Sequence, residues 1–490
     1  MLLREKASVA LSLIPADLRA KLEEMQKTGT PPSDALIKEI KGHALDGNRF
    51  FDADIEPLEP GDLSVLTPYA PTIGDTTWDI DQIIAHDTDE LRSLIDEGNS
   101  ELANNQVDLN TSTAVVGLPA AGVASRAAKW IAESKGHEEI ARKIMEMAGS
   151  TSTIPPRYLY PIATEYGIET LIGIMLKAGH MIGKNLGASI STLTMLNYLF
   201  IDEVIDTLGP ELSRLPDFSF ENIGLFTQSV SRRLFLTDLQ PNNTLNPTGH
   251  GDFPNALARF KFYSYLKARG IKYFVFSNAD EFLWSPNGLV IGMAKKFISQ
   301  GYAGIAILVP NTNGQSGGGP VKKKNNPNYH FLCEEPCQAK SQLNKRLVGL
   351  NTTFYVMDID FLLAYETNLQ TLSPALDIKT TAGRNGGQEV VIALESWAGS
   401  EFSHPHNSNH PLGLRMLFFP RAGVFTGIKS LEQSHSDKIP PEIASTQFEM
   451  TYEKYIQHMA NKVPVVRKAI IHQDKNVAEL LFKNDYSYLI

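Results

Sequence analysis

Two short clusters place chemistry-bearing side chains at close spacing. One is the turn Thr248-Gly249-His250-Gly251-Asp252-Phe253, and the other is Ser277-Asn278-Ala279-Asp280-Glu281. The second follows the apolar run Tyr273 to Phe276 directly. A buried strand that ends in an amide and carboxylates is the arrangement α/β enzymes use at a ligand crevice. The amide can both donate and accept hydrogen bonds. A histidine between glycines can cap the next helix, but just ahead of a strand–carboxylate element it reads as a ligand contact. A third cluster begins at the apolar run Ala114-Val115-Val116-Gly117 and continues as Leu118-Pro119-Ala120-Ala121-Gly122-Val123-Ala124-Ser125-Arg126. Consecutive small residues let backbone N–H groups approach a nucleotide, and a helix starting at Arg126 points its positive end there. The run has neither the Gly-Lys-Ser/Thr of a P-loop nor GxGxxG spacing.

These clusters need a scaffold, and the hydrophobic pattern supplies one. Helical spacing predicts helices over Leu13 to Gln26, Ser33 to Ile40, Asp81 to Ile95, Ala127 to Met147, Glu165 to His180, Phe200 to Leu208 and Gly288 to Gln300, and one amphipathic helix between the first two clusters. Strands are expected at Ala188 to Leu196, Leu225 to Gln228, Tyr273 to Phe276, Ala303 to Val309, Leu347 to Met357 and Glu389 to Leu394. Leu414 to Phe425 joins two apolar pieces across Pro420-Arg421. Strands alternating with helices predict an α/β fold, Rossmann-like, with a mostly parallel mixed sheet and helical N- and C-terminal additions. Asn311 to Asn328 reads as a glycine- and lysine-rich loop, with Lys322-Lys323-Lys324 a solvated turn or a steering patch for an anion. The expected units are a helical region over 1–105, a catalytic α/β domain over 106–432 and a short helical region over 433–490.

Composition narrows the class. The chain has 490 residues, 42% hydrophobic and 20% charged, with a formal net charge of −10. That is globular composition, long enough for more than one folding unit. An acidic balance with no basic stripe argues against nucleic acid as a partner. No apolar run approaches the roughly 20 residues of a membrane span, and the N-terminus reads as a surface helix rather than a signal peptide, which makes the cytoplasm the expected compartment. Cys333 and Cys337 read as two thiols, and His404, His406 and His410 as a polar loop rather than a metal site. Oligomeric state is not legible.

Six motifs in order resemble the UDP-sugar pyrophosphorylase family. They are Gly249-His250-Gly251-Asp252, Ser277-Asn278-Ala279-Asp280, Phe226-Thr227-Gln228, Leu350-Asn351-Thr352, Leu394-Glu395-Ser396 and Phe425 to Lys429. The resemblance implies a nucleotidyltransferase that forms a UDP-sugar and pyrophosphate from UTP and a sugar 1-phosphate, glucose 1-phosphate first. It implies that Leu118, Ala120, Ala121, Gly122, Gln228 and Gly249 bind the nucleotide, the latter two reading the uracil edge. His250, Asn278, Asn351 and Glu395 would contact the sugar and its phosphate. Arg126, Lys129 and Lys429 would act on the reacting phosphates, and Asp280, helped by Asp252, would hold Mg²⁺.

The chain departs from the family pattern in places. Leu118-Pro119-Ala120-Ala121 stands where the family has several glycines, Pro156-Arg157 stands where it has proline-lysine-serine, and the tail has no counterpart of its C-terminal β-helix. The altered loop leaves open a same-fold enzyme with another base or acceptor, and a catalytically weak nucleotide- or sugar-binding regulatory protein.

Overall fold

The computed structural model describes residues 16–28, 33–40, 55–59, 62, 64–65, 72–73, 76–77, 88–103, 111–120, 157–159, 161–164, 167–197, 201–215, 217–278, 288–311, 318–333, 348–369, 375–382, 387–396 and 412–418. The first part of the chain gives α1 (Ala16–Thr28), α2 (Asp34–Ile40), β1 (Ile55–Pro57), β2 (Ser64–Val65), β3 (Thr72–Ile73), β4 (Thr76–Thr77) and α3 (Thr88–Ala103). There follow β5 (Thr111–Ala120), β6 (Pro161–Thr164), β7 (Gly167–Thr170), α4 (Leu171–Leu186), β8 (Ser189–Leu196), α5 (Ile201–Leu212) and β9 (Ile223–Thr227). Next come β10 (Val230–Phe235), β11 (Pro241–Pro247), α6 (Asp252–Arg259), α7 (Phe262–Ala268), β12 (Tyr273–Phe276), α8 (Gly288–Ser299) and β13 (Tyr302–Pro310). The described chain closes with β14 (Gly319–Lys323), β15 (Asn326–Cys333), β16 (Gly349–Asp358), α9 (Ile359–Leu369), β17 (Ala375–Ala382), β18 (Gln388–Glu395) and β19 (Leu412–Phe418).

An eight-stranded sheet in the order β2-β19-β13-β16-β12-β5-β8-β9 forms the centre. Its neighbours pair in parallel except where β16 runs against β12 and β13. The predicted mostly parallel mixed sheet is therefore present. All four residues of β12 are buried, because this inner strand has both faces covered, and that is why it reads as an uninterrupted apolar run. After β5 the chain builds β8 and β9 on one side and later places β12 on the other. Reversal of build direction opens a crevice at the carboxyl ends of the strands around β5 and β12.

A second sheet, β11-β10-β18-β17, is antiparallel throughout. Its register puts Leu234, Leu376, Ile378, Ile392 and Leu394 on one face, where they form a core with Leu18 and Leu22 of α1 and Leu36 and Ile40 of α2. The opposite face carries Arg233, Asp377, Lys379 and Glu395. Strand alternation with period two thus yields one greasy and one charged surface.

Several expectations shift. The strand read as ending at Gly117 runs on to Ala120, paired with β8 through Leu118↔Thr194 and Ala120↔Leu196. The helix expected from Glu165 begins at Leu171, capped by the Thr170 hydroxyl accepting from Gly173 N–H at 3.0 Å, and the residues before it form the β6–β7 hairpin. The single amphipathic helix between the polar clusters is two, broken where Lys261 adopts a φ of 54°. The loop expected over 311–328 contains strand β14 and the start of β15. Within β14, Lys322 pairs with Asp62 at 2.9 Å and the Lys323 ammonium lies 4.5 Å from the Tyr329 ring centroid. Lys322 ties the hairpin to the N-terminal part of the chain and Lys323 packs across to β15, so neither sits in a solvated turn. The region 1–105 contributes strands as well as helices, with β1 joining β14 and β2 joining β19. Among the described residues no helix is long and apolar enough to cross a membrane.

Candidate functional site at the carboxyl edge of the central sheet

Strand β9 ends at Thr227, and the next residue, Gln228, hydrogen-bonds its backbone N–H to the Leu196 carbonyl at 2.8 Å. Its side chain is 3% exposed, and its Nε2 donates to the carbonyl of Gly249. Because that carbonyl can only accept, the amide orientation is fixed, and Oε1 faces away with no hydrogen-bond partner among the described residues. The turn that receives Gln228 depends on its glycine. Gly249 has a φ of 96°, and a Cβ there would sit 2.3 Å from the Ser396 carbonyl oxygen and 3.2 Å from Glu395 Cγ. Ser396 N–H donates to the Thr248 carbonyl at 2.7 Å, and Gly251 N–H donates to the Ser396 carbonyl at 3.0 Å. The end of β18 is thereby fastened to both sides of the glycine turn. Gln228, Gly249, His250, Asp252 and Glu395, distant in sequence, form one cluster.

Within it the side chains have distinct environments. His250 is part-exposed, and burial and the Lys379 ammonium pull its imidazole down to about 4, so it is neutral near pH 7. Burial pushes the Glu395 carboxyl up. The Lys379 ammonium, a hydrogen bond with Asp377 and the Arg233 guanidinium outweigh that and hold it below the ordinary carboxylate value. Lys379 Nζ lies 2.5 Å from Glu395 Oε2 and 3.8 Å from Asp377 Oδ2.

Asp252, expected to help hold a metal, makes a buried contact with the backbone. It is 4% exposed, and its Oδ2 accepts from the Ser229 N–H at 2.6 Å. At the start of α6 a carboxylate also meets the positive end of the helix. A buried carboxylate that satisfies a backbone N–H is a tether between the end of β9 and the glycine turn, so Oδ2 of Asp252 has a structural task. Among the described residues no group of three or more His, Cys, Asp or Glu side chains is placed to hold a metal ion.

Asn278 and Asn351 form a second cluster at the same edge. Ser277 N–H donates to the Gly117 carbonyl at 3.0 Å, which steers the chain leaving β12 across the end of β5. Asn278 Nδ2 donates to the Thr352 carbonyl at 3.2 Å. Asn351 Nδ2 and Oδ1 lie 2.6 Å and 2.9 Å from the Tyr355 hydroxyl, and Oδ1 also accepts from Thr353 N–H at 2.8 Å. Thr353 has a φ of 64°, and the β13–β16 register shifts beside it, so a bulge aims Asn351.

Aromatic packing joins the two clusters. Phe253, the residue after Asp252, meets Phe226, Phe274 and Phe276 at ring-centroid distances of 4.9, 6.1 and 5.2 Å. Phe276 stacks on Tyr355 at 5.8 Å with planes 12° apart. Gly117 makes room for this: a Cβ there would lie 2.8 Å from Phe274 Cζ and 2.9 Å from Phe253 Cζ. Gly117 is thus required by ring packing inside a strand, and Leu118 and Ala120, at 0% and 1% exposure, are sheet residues rather than the opening of a loop. Of the expected site residues, Ala121, Gly122, Arg126, Lys129, Asp280 and Lys429 lie outside the described residues, as do the helix Ala127 to Met147, the histidines at 404–410, Cys337 and the tail from Pro441.

Sequence reading placed Phe253 in the turn without a role and passed over Tyr355, Asp377 and Lys379. The signal for Tyr355 is absent without the bulge. For Asp377 and Lys379 it was present, as the alternation Leu376-Asp377-Ile378-Lys379 of a half-buried strand.

No protein-family model and no curated protein sequence matches the chain. Solved structures do. The uridine diphosphate N-acetylglucosamine pyrophosphorylase of Trypanosoma brucei, in complex with an inhibitor, superposes with a TM-score of 0.57 at 13% identity, over 96% of this chain and 85% of that one. The UDP-glucose pyrophosphorylase of Leishmania major matches at 0.49 and 13% identity, over 82% and 76% of the two chains. A UDP-glucose phosphorylase of T. brucei matches at 0.49 and 14%, over 82% and 74%. The first likeness takes in nearly the whole chain. The chain has the fold of the UDP-sugar pyrophosphorylases.

Proposed function

We propose that the protein is a nucleotidyltransferase that makes a UDP-sugar and pyrophosphate from UTP and a sugar 1-phosphate, with glucose 1-phosphate the first candidate. The observation that carries this reading is the convergence of Gln228, Gly249, His250 and Glu395 at the carboxyl edge of the central sheet, beside Asn278 and Asn351. Gln228 supports the choice of base. Its buried Oε1 is an acceptor with no donor among the described residues, a state that costs about 1–3 kcal/mol unless a ligand supplies one. Uracil offers an N–H at N3, where cytosine offers only an acceptor, so an oriented amide oxygen favours the former.

In this reading the phosphate oxygen of the sugar 1-phosphate attacks the α-phosphorus of UTP and pyrophosphate leaves. Such transfer needs alignment of two anions and compensation of their charge more than covalent help from the protein. Asn278, Asn351, His250 and Glu395 orient the sugar phosphate. His250 does so as a neutral imidazole, one nitrogen donating and the other accepting. Arg126 and Lys129 are assigned to the leaving group, Lys429 to the reacting phosphates, and Ala121 and Gly122 to the triphosphate. Asp280 would hold the Mg²⁺, which would offset the charge of the reacting phosphates.

The test is pyrophosphate release from UTP and glucose 1-phosphate by the wild type and by Asp280→Ala. Release by the wild type and its loss in the variant, at an unchanged melting temperature, is expected. Undiminished release in the variant removes the metal assignment, and release by neither protein with any sugar 1-phosphate removes the reading.

A further inference from the structure

The charged face of the four-stranded sheet is not explained by the core, which lies on its other face. On the β17–β18 ladder three cross-strand pairs share that face: Ala375↔Glu395, Asp377↔Ala393 and Lys379↔Val391. Glu395 and Lys379 are separated by two rungs, roughly 13 Å of strand, yet Nζ and Oε2 meet at 2.5 Å. They do so because both long side chains lie along the sheet and the small Ala393 leaves the middle rung open beneath them. Asp377, on that middle rung and 7% exposed, flanks the pair, and its Oδ1 is fixed by the Ile378 N–H at 2.9 Å. The Glu395 stem in turn lies against Gly249. On the far side, the core with α1 and α2 holds the sheet still.

We propose that Lys379, seated by Asp377, is the positioning residue that sets the direction of the Glu395 carboxylate and so governs affinity for the sugar hydroxyls. Without the ammonium, Glu395 loses the ion pair that aims it and keeps only Asp377 and the Arg233 guanidinium as neighbours, so the cost falls on the sugar substrate. UTP is untouched, because Gln228 reaches Gly249 from the opposite strand system. This inference rests on the sugar nucleotidyltransferase reading and adds to it a residue that none of the motifs contains.

The experiment measures KM for UTP, KM for the sugar 1-phosphate and kcat in the wild type, Lys379→Met and Lys379→Arg, with glucose 1-phosphate and N-acetylglucosamine 1-phosphate as probes. Lys379→Met is expected to raise KM for the sugar 1-phosphate by about tenfold, the equivalent of one charge-assisted hydrogen bond, with KM for UTP within about twofold. Lys379→Arg is expected to recover most of the loss. Lys379→Gln carries the same comparison should the methionine variant fail to fold. A wild type that turns over while the variants change neither KM, or raise both equally, overturns this inference and leaves the functional reading standing. A wild type inert with every sugar 1-phosphate overturns both.

Discussion

The side-chain amide of Gln228 donates to the carbonyl of Gly249, tying the end of one parallel strand to a glycine turn on the next stretch of chain. The bond does two things at once. It fixes a turn whose φ of 96° only glycine adopts at ease, and it orients the free amide oxygen. Gly249→Ala is expected to destabilise the protein by about 2–3 kcal/mol through strain and the clash with Ser396. Thermal melts check this, and an unchanged melting temperature contradicts the geometry. Gln228→Ala is expected to raise KM for UTP and to erase preference for UTP over CTP, measured as the ratio of kcat/KM values.

Asp252 separates the structural reading from the expected metal role. Asp252→Asn keeps an oxygen for the Ser229 N–H and is expected to retain activity with an unchanged Mg²⁺ requirement. Asp252→Ala leaves that buried donor unpaired and is expected to cost about 1–3 kcal/mol of stability. A Mg²⁺ titration of the asparagine variant decides the matter: a large rise in the Mg²⁺ needed for half-maximal rate restores Asp252 as a ligand.

Tyr355 holds Asn351 by its hydroxyl. Tyr355→Phe keeps the ring stacked on Phe276 and removes only that partner. The expected outcome is a loss of about 1 kcal/mol of stability and a several-fold rise in KM for the sugar 1-phosphate at unchanged KM for UTP. Equal effects on both substrates contradict the assignment of Asn351 to the sugar side.

Acid should destabilise the protein through its histidines. Burial pulls His330 from 6.5 to about 4, with Arg415 adding to the shift and Asp62 opposing it. A folded pKa below the unfolded one means that the unfolded chain binds more protons between about pH 4 and 6.5. Stability is therefore present above that window and lost as pH falls through it, by up to about 3 kcal/mol for this buried group. His330→Gln keeps a donor for the Pro327 carbonyl and is expected to flatten the fall in melting temperature from pH 7 to pH 4.5. Parallel curves for the two proteins contradict this.

How much was legible follows from what each residue's neighbours are. Strands β8, β12, β13 and β16 were readable because inner strands of a covered sheet must be apolar along their length, and β9 and β18 because each carries a short apolar run. The β10–β11 hairpin was not. Arg232 and Arg233 interrupt its first strand and Pro241-Asn242-Asn243 open its second, so its pairing is imposed by β18 rather than by its own propensity. Strand β14 was hidden for a similar reason, since its lysines look solvated until Asp62 and Tyr329 are seen beside them. The Gly249 turn could be picked out from its residues and Gln228 and Glu395 from the family resemblance, and the structure brings them together. That Asp252 is an anchor and that Gly117 serves ring packing were beyond a linear reading, because both depend on contacts made across the fold.

The central claim is tested most directly by product formation. The four nucleoside triphosphates are each incubated with Mg²⁺ and with glucose 1-phosphate, N-acetylglucosamine 1-phosphate and further sugar 1-phosphates, and pyrophosphate and nucleotide sugar are quantified together. The account predicts stoichiometric pyrophosphate and UDP-sugar with UTP for at least one sugar, and little or none with CTP. Equal rates with CTP, or no nucleotide sugar from any pair, would contradict it.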